Sequence, residues 1–425
     1  MIRAGAFVLI VGAMLLARWY GGELAAPGSS AALALGFALI AAYLQGGVAE
    51  RLRLPRISGY LVFGVLCGPY LLNLITSTMA RELRVVDELA LTLIAVIAGL
   101  EMNIVHLRRQ ARSVLAIGGL TMMGTVIVIM ATLLIAWPWL PLPGLTGATR
   151  VAAALVIAAL VTSFSPTVSI AVVAESRARG PLTELVMASV ILADLLLIVV
   201  FALGLQLVRW AGGTEGGDVG VVVALAWEMA GSVAFGAAVG SVFALYLRYV
   251  RRELTLALLT VCAVLAVASA RWHFELILSA LAAGLVVENV APPEGDDLKR
   301  AIERSGLPLI VIFFAAAGAS LQLDALAALG WTAVALASIR LGCIRGFAEV
   351  GVRWLGLGAS PARMAWMGLV SQAGVTLGLA TIVATEFPDW GPTIRVLVVA
   401  LTALHVLVGP ILLKAALQRA GEVAA

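Results

Sequence analysis

Charge is scarce in this sequence: Asp, Glu, Lys and Arg make up 12% of 425 residues, against 62% hydrophobic ones. A soluble globular protein carries about 25% charged residues, because they must cover its surface. At half that density, and with a mean hydropathy of +1.07, the outer surface faces lipid. Also missing is any stretch long enough for an aqueous domain. Apolar runs of about 20 residues, each able to cross a hydrocarbon core about 30 Å thick, recur from the first residues to the last. Cysteine is nearly absent, and Cys67, Cys262 and Cys343 lie inside apolar runs with no C-x-x-C pair, which argues against disulfides and a zinc site. The three histidines, His106, His273 and His405, lie mostly near helix ends and do not cluster, so neither a metal centre nor a histidine catalyst is indicated. The net charge of +4 does not point to nucleic acid, since the basic residues occupy short loops where they set membrane orientation.

Reading apolar runs between charge and Pro/Gly breaks predicts an all-α polytopic membrane protein. Fourteen helices are expected, near 5–20, 31–49, 57–75, 86–104, 113–137, 151–175, 182–208, 219–247, 254–270, 274–290, 306–322, 329–352, 364–386 and 393–416. If the first is a cleaved signal peptide instead, thirteen remain. With the N-terminus inside, 19 of the 28 Lys and Arg fall on the cytoplasmic side, as the positive-inside rule requires. Both chain ends are then cytoplasmic.

Helix 4 closes on Ala98-Gly99-Leu100-Glu101 and helix 11 on Ala317-Gly318-Ala319-Ser320. Seven helices separate them, and an odd offset reverses the direction of entry, as in an inverted repeat. The chain then divides into an additional N-terminal helix (1–25), a first six-helix repeat (26–210), a linker helix (211–252), a second repeat (253–417) and a short cytoplasmic tail (418–425). Helix 6 is interrupted by Thr162-Ser163-Phe164-Ser165-Pro166-Thr167, and its counterpart, helix 13, by Ser371-Gln372-Ala373-Gly374-Val375-Thr376. Pro166 removes a donor and disfavours helix at Ser165, while Gly374 weakens the helix and permits close approach. Free carbonyls and amides are expected there. Such backbone is tolerated in a bilayer only where it is buried in protein or lines a cavity, and matching breaks in two halves mark a transporter's binding site. A proline kink used for packing is the alternative.

Asp194 lies twelve residues after Leu182, about 18 Å along its helix and close to the midplane. A carboxylate there is a functional candidate by default, able to exchange a proton for a cation. Arg340, eleven residues into helix 12, is the expected partner for a buried acid, whereas Arg345 is expected to snorkel or to pair with Glu349 at i+4. Glu175 and Glu184 flank the basic loop 177–181, and Glu175 is a candidate for lining a cytoplasmic funnel.

These residues resemble the Na+/H+ exchanger-like cation:proton antiporters, particularly the bacterial monovalent cation:proton antiporter-2 type. The motifs are Gly59 to Pro69, Ala98-Gly99-Leu100-Glu101-Met102, Thr162 to Pro166, the Asp194 helix and Phe313 to Gly318. The resemblance implies a multi-pass inner-membrane homodimer in which a mobile core with two crossed, broken helices moves against a dimerising scaffold. It also implies that Asp194 carries the cation or proton. Two departures stand out. Ala193 occupies the place before the essential Asp where the family commonly has Asp or Asn, and Arg340 stands where Lys is common. The expected activity is Na+ or K+ against H+ by alternating access, with no cofactor and no resident metal. Oxygen ligands would come from Asp194, Thr162, Ser163 and Ser165, which suit a hard cation. A sodium-coupled organic anion symporter of related fold and a non-transporting membrane scaffold are the alternatives. An intramembrane enzyme lacks a His placed to activate Ser163 or Ser165.

Overall fold

A computed structural model of the chain describes residues 12, 14–15, 29–82, 84–100, 102, 104–139, 145–211, 219–250, 252–291, 298, 306–321, 323–357, 361–372 and 374–423. Most of the expected first helix, and Glu101 with it, lie outside them. Among the described residues all regular structure is helical, and seven helices are long and apolar enough to cross a membrane. Five further apolar helices span 10–17 residues. The protein is a multi-pass membrane protein.

Two compact units form, each from two stretches of chain: Met1–Asn103 with Met229–Leu321, and Ile104–Glu228 with Gln322–Ala425. The first contains α1 (Ser29–Arg51), α2 (Arg56–Cys67), α3 (Ser77–Glu82), α4 (Arg84–Leu100), most of α10 (Val219–Tyr249), α11 (Leu254–Trp272), α12 (Leu276–Val290) and α13 (Leu307–Ala319). Within it, α2 packs on α13 and α4 on α12. Lipid-facing chains gain little from burying apolar area, so helices associate by close backbone contact at small residues. A Cβ built on Gly64 would fall on the Ala315 carbonyl, and one on Gly318 on the Leu61 carbonyl. In the other pair, Gly284 faces the Val96 carbonyl and Gly99 the Leu281 carbonyl. Each glycine thus meets the carbonyl three residues before its partner glycine.

The second unit contains α5 (Ile104–Val114), a π-helical turn (Leu115–Gly119), α6 (Leu120–Ala136), α7 (Gly147–Thr162), α8 (Pro166–Ser176), α9 (Pro181–Ala211), α14 (Leu323–Trp354), a 3-10 segment (Pro361–Gly368), α15 (Gly374–Glu386) and α16 (Gly391–Ala420). Residues 105–112 were expected as a basic loop and are helical instead. Ile104, Leu107, Ala111 and Val114 recur at helical spacing, which suffices for an amphipathic helix too polar to read as a span. The π-turn lets Gly118 sit against Ser189 of α9 and opens the Ala116 carbonyl to Gly351 of α14. A buried apolar cluster joins α6, α7, α9, α14, α15 and α16, including Leu160, Val161, Phe164, Ala193 and Leu197.

Gly99→Val should lower the melting temperature of the detergent-solubilised protein. Forcing a side chain into a backbone crossing costs roughly 1–3 kcal/mol. Gly36→Ala, which meets nothing within 4 Å, is the control and should melt as the native protein does.

Candidate functional site

Two helices of the second unit break, and the breaks meet. The first stops at Thr162 and restarts at Pro166, with Ser163 and Ser165 in extended backbone. The second stops after Gly368 and restarts at Gly374. Pro166 occupies the first position of α8, where its missing N–H is harmless, and the Ser165 hydroxyl accepts from Val168 N at 3.4 Å as the N-cap. Across the crossing, Ser165 N donates to the Ser371 carbonyl at 2.8 Å, and the Ser163 and Thr376 hydroxyls pair at 2.6 Å. The Ser169 hydroxyl donates to the Gly368 carbonyl at 2.9 Å. Thr167 is buried beside them.

A helix that ends inside protein leaves its last carbonyls without intrahelical donors. The expectation of free carbonyls is corrected here, because side chains reach them. Gln372 Nε2 donates to the Leu160 and Val161 carbonyls at 2.8 and 3.3 Å. Arg340 Nη2 donates to the Ser163 carbonyl at 2.6 Å and the Thr162 carbonyl at 3.4 Å, while Nη1 donates to the Val370 carbonyl at 2.8 Å. Arg340 is fully buried, with Phe164 under its guanidinium at 5.6 Å. Its hydrogen bonds run to these carbonyls, where the partial negative charge of two half-helix ends accumulates, and not to the Asp194 carboxylate expected as its partner. Arg345, which is exposed, does not pair with Glu349: its guanidinium lies over Trp366 at 5.7 Å, and Glu349 pairs with Arg353 and Arg363 at 3.1 and 2.6 Å.

Asp194 is buried in α9, with only 8% of its surface exposed. Gly204 of α9 faces Val156 of α7, where a Cβ would lie 2.9 Å from the valine methyl. Because α9 returns antiparallel after the turn 177–180, this contact sets the register. Asp194 lies ten residues, about 15 Å, back along α9. The same distance beyond Val156 is covered by six helical residues to Thr162 and two extended ones to Phe164. The carboxylate helix therefore passes the break with Asp194 at its level. Thr162 Oγ1 and Gln372 Oε1 are buried there without hydrogen-bond partners among the described residues. Ser371 Oγ is also unpartnered but is turned against Gly409 of α16. Glu175, at the end of α8, lies 3.9 Å from Lys414 of α16.

Of the three histidines set aside from the sequence, one lies deep in this unit. His405 is buried in the middle of α16, its Nδ1 2.8 Å from the Leu401 carbonyl, and it interacts electrostatically with Arg340. The depth arithmetic that singled out Asp194 places His405 about 18 Å into the run 393–416, and would have found it.

Replacing Arg340 by Leu would leave three buried carbonyls without donors, each worth about 1–3 kcal/mol. Arg340→Leu should therefore sharply reduce the yield of monodisperse protein on size-exclusion chromatography. Arg340→Lys, with one ammonium in place of a planar fork, should fall between it and the native chain.

The fold is shared with solved structures. A structure of the sodium proton antiporter MjNhaP1 from Methanocaldococcus jannaschii at pH 8 superposes with a TM-score of 0.66 at 18% identity, covering 91% of this chain and 96% of the other. An electron-microscopy structure of the same antiporter gives 0.69 at 18% identity, covering 92% and 98%. No curated protein sequence matches the chain significantly. The transmembrane sodium/hydrogen exchanger family matches residues 34–419, nearly the whole sequence. On that match the chain belongs to the sodium/hydrogen exchanger family and is a transporter rather than an enzyme.

Proposed function

We propose that the protein exchanges a monovalent cation, Na+ or K+, for H+ by alternating access, with Asp194 as the group that carries either ion. The observation behind this reading is a buried carboxylate on a helix that packs against both halves of the first broken helix. An ionised carboxylate is costly to bury, and a cation with oxygen ligands offsets that cost. Thr162 Oγ1 is the best placed neutral ligand, being buried and unpartnered. Ser163 and Ser165 use one hydroxyl interaction each, with Thr376 and with Val168 N, and retain further acceptor capacity. Arg340 serves as charge compensation for the site through the carbonyls it holds rather than by a direct ion pair. Arg345, stacked on Trp366, has no such part. Pro166, Thr167, Ser371, Gln372, Gly374 and Thr376 build the crossing, and Glu175 stands at the inner mouth.

The architecture proposed with this function is a pair of inverted repeats, 26–210 and 253–417, in a homodimer of the inner membrane. The reciprocal glycine contacts support it: exchanging α2 with α12 and α13 with α4 converts one crossing into the other. Exchange is proposed as electroneutral. Ala193 cannot ionise, so the site cycles one carboxylate, negative when empty and neutral with either ion. The two loaded forms then carry equal charge, although one uncompensated charge would feel about 2.3 kcal/mol per 100 mV.

In proteoliposomes with a pH-sensitive dye, Asp194→Asn should abolish Na+- or K+-driven proton flux while preserving the chromatographic profile. Wild-type flux in that folded variant would refute the assignment. A valinomycin potential applied to the native protein during Na+-driven exchange should leave the rate nearly unchanged. A clear voltage dependence would require a second titrating group, and Glu175 and His405 would be the first to replace. Flux that requires an added organic anion would favour the symporter instead.

A further inference from the structure

The segment following α16 makes a specific connection to the helix that carries Asp194. At Gly421 the backbone turns into the left-handed region (φ 71°), and Gly421 N and Glu422 N donate to the Gln418 and Leu417 carbonyls at 3.1 and 3.0 Å. Glycine suits this position because a Cβ is costly there. The turn swings Glu422 onto the first turn of α9. One carboxylate oxygen accepts from Leu182 N at 2.7 Å, and the other accepts from Thr183 N at 2.8 Å and Thr183 Oγ1 at 2.7 Å. The Glu422 main-chain carbonyl accepts from Arg179 N at 2.9 Å. Gly180 leaves room for all this, since a Cβ on it would collide with the Glu422 side chain.

These bonds do what an N-cap does: a carboxylate satisfies free amides at the positive end of a helix dipole. The cap here comes from 240 residues away, so it also fixes the position of one helix relative to another. The helix it comes from, α16, packs against α7, α8, the 3-10 segment and α15, which are the four halves of the two broken helices. Lys414 approaches Glu175 of α8 at the same end. The cap therefore ties the start of the Asp194 helix to the element that touches every part of the crossing.

We propose that Glu422 is a positioning residue for cation exchange, holding α9 in the register that sets Asp194 level with the Thr162–Pro166 break. The proposal rests on the exchange function assigned above. Misplacement of a reacting group by about 1 Å costs up to about a hundredfold, so loosening this clamp acts on the apparent affinity for the cation rather than on whether the chain folds.

The test compares Glu422→Ala, Gly180→Ala, the double variant and Glu422→Gln in the full chain. Two readouts are taken: hydrogen exchange over residues 181–184 in detergent, and the apparent KM and maximal rate of Na+-driven proton flux in proteoliposomes. Glu422→Ala should speed exchange at 181–184 and raise the KM about tenfold in protein that elutes and melts as the native form does. Gly180→Ala, which crowds the carboxylate and also strains a backbone at φ 156°, should speed the local exchange too, and the double variant separates that strain from loss of the cap. Glu422→Gln, which keeps one acceptor for one amide, should lie between Ala and native. Native KM and rate in a Glu422→Ala variant with faster local exchange would overturn the proposal. If the native protein shows no cation-driven flux at all, the exchange function is what fails; the clamp is still judged by the hydrogen exchange.

Discussion

A helix cannot end inside a membrane protein unless something donates to its last carbonyls, and here that requirement falls on Arg340 and Gln372. Each unsatisfied carbonyl in a dry interior costs about 1–3 kcal/mol, and two helices stop in the same place. One guanidinium with fixed donor directions reaches three carbonyls from both breaks, and one carboxamide reaches two more. A charge so deep is ordinarily expensive. It is tolerated because the half-helix ends present concentrated negative potential to it and Phe164 covers its face. The unpartnered oxygens at the crossing, Thr162 Oγ1 and Gln372 Oε1, then belong to side chains rather than to the backbone.

The two units answer the problem of packing in lipid differently. In the first, glycines at α2/α13 and α4/α12 let backbones touch, and the contact is reciprocal at both places. That gives cohesion by direct contact between backbones. In the second, close packing is combined with buried polar atoms, because a carboxylate, a guanidinium and several hydroxyls must be housed there. Buried polar networks of this kind specify one arrangement where an apolar core would permit several. The π-turn at Leu115–Gly119, against Ser189 on the same helix as Asp194, belongs to this second style, and such turns recur at functional sites.

Much of this was legible from residue chemistry alone. Pro166 and Gly374 pointed to both breaks, since proline removes a helix donor and glycine weakens a helix, and Asp194 announced itself by depth. The use of Arg340 was not legible. Its depth suggested a carboxylate partner, whereas its partners are main-chain carbonyls, which every residue has and which no sequence pattern marks. Arg345 was misread for a similar reason: Glu349 stood at the right spacing, but Trp366, distant in sequence, offered a ring face, and Glu349 found Arg353 and Arg363. Most of the helix at 104–114, residues 105–112, was taken for a loop because its charges dominate a hydropathy average while its apolar stripe is only one face wide.

The position before Asp194 connects site chemistry to architecture. Ala193 is fully buried and packs in the same cluster as Leu160, Val161 and Phe164, so it lies between α9 and the last turn of the first broken helix. An Asp or Asn there would place a polar group in that cluster, and an ionised one would bring a second negative charge beside Asp194. Two adjacent carboxylates raise each other's proton affinity, which is one way to couple two protons to one cation. With alanine the cluster stays apolar and a single titrating carboxylate is left beside the break. Any second proton would have to come from a group elsewhere in the unit. His405, buried in the middle of α16, is the intramembrane candidate. The proposed one-for-one exchange therefore rests on how α9 packs as much as on the missing acid.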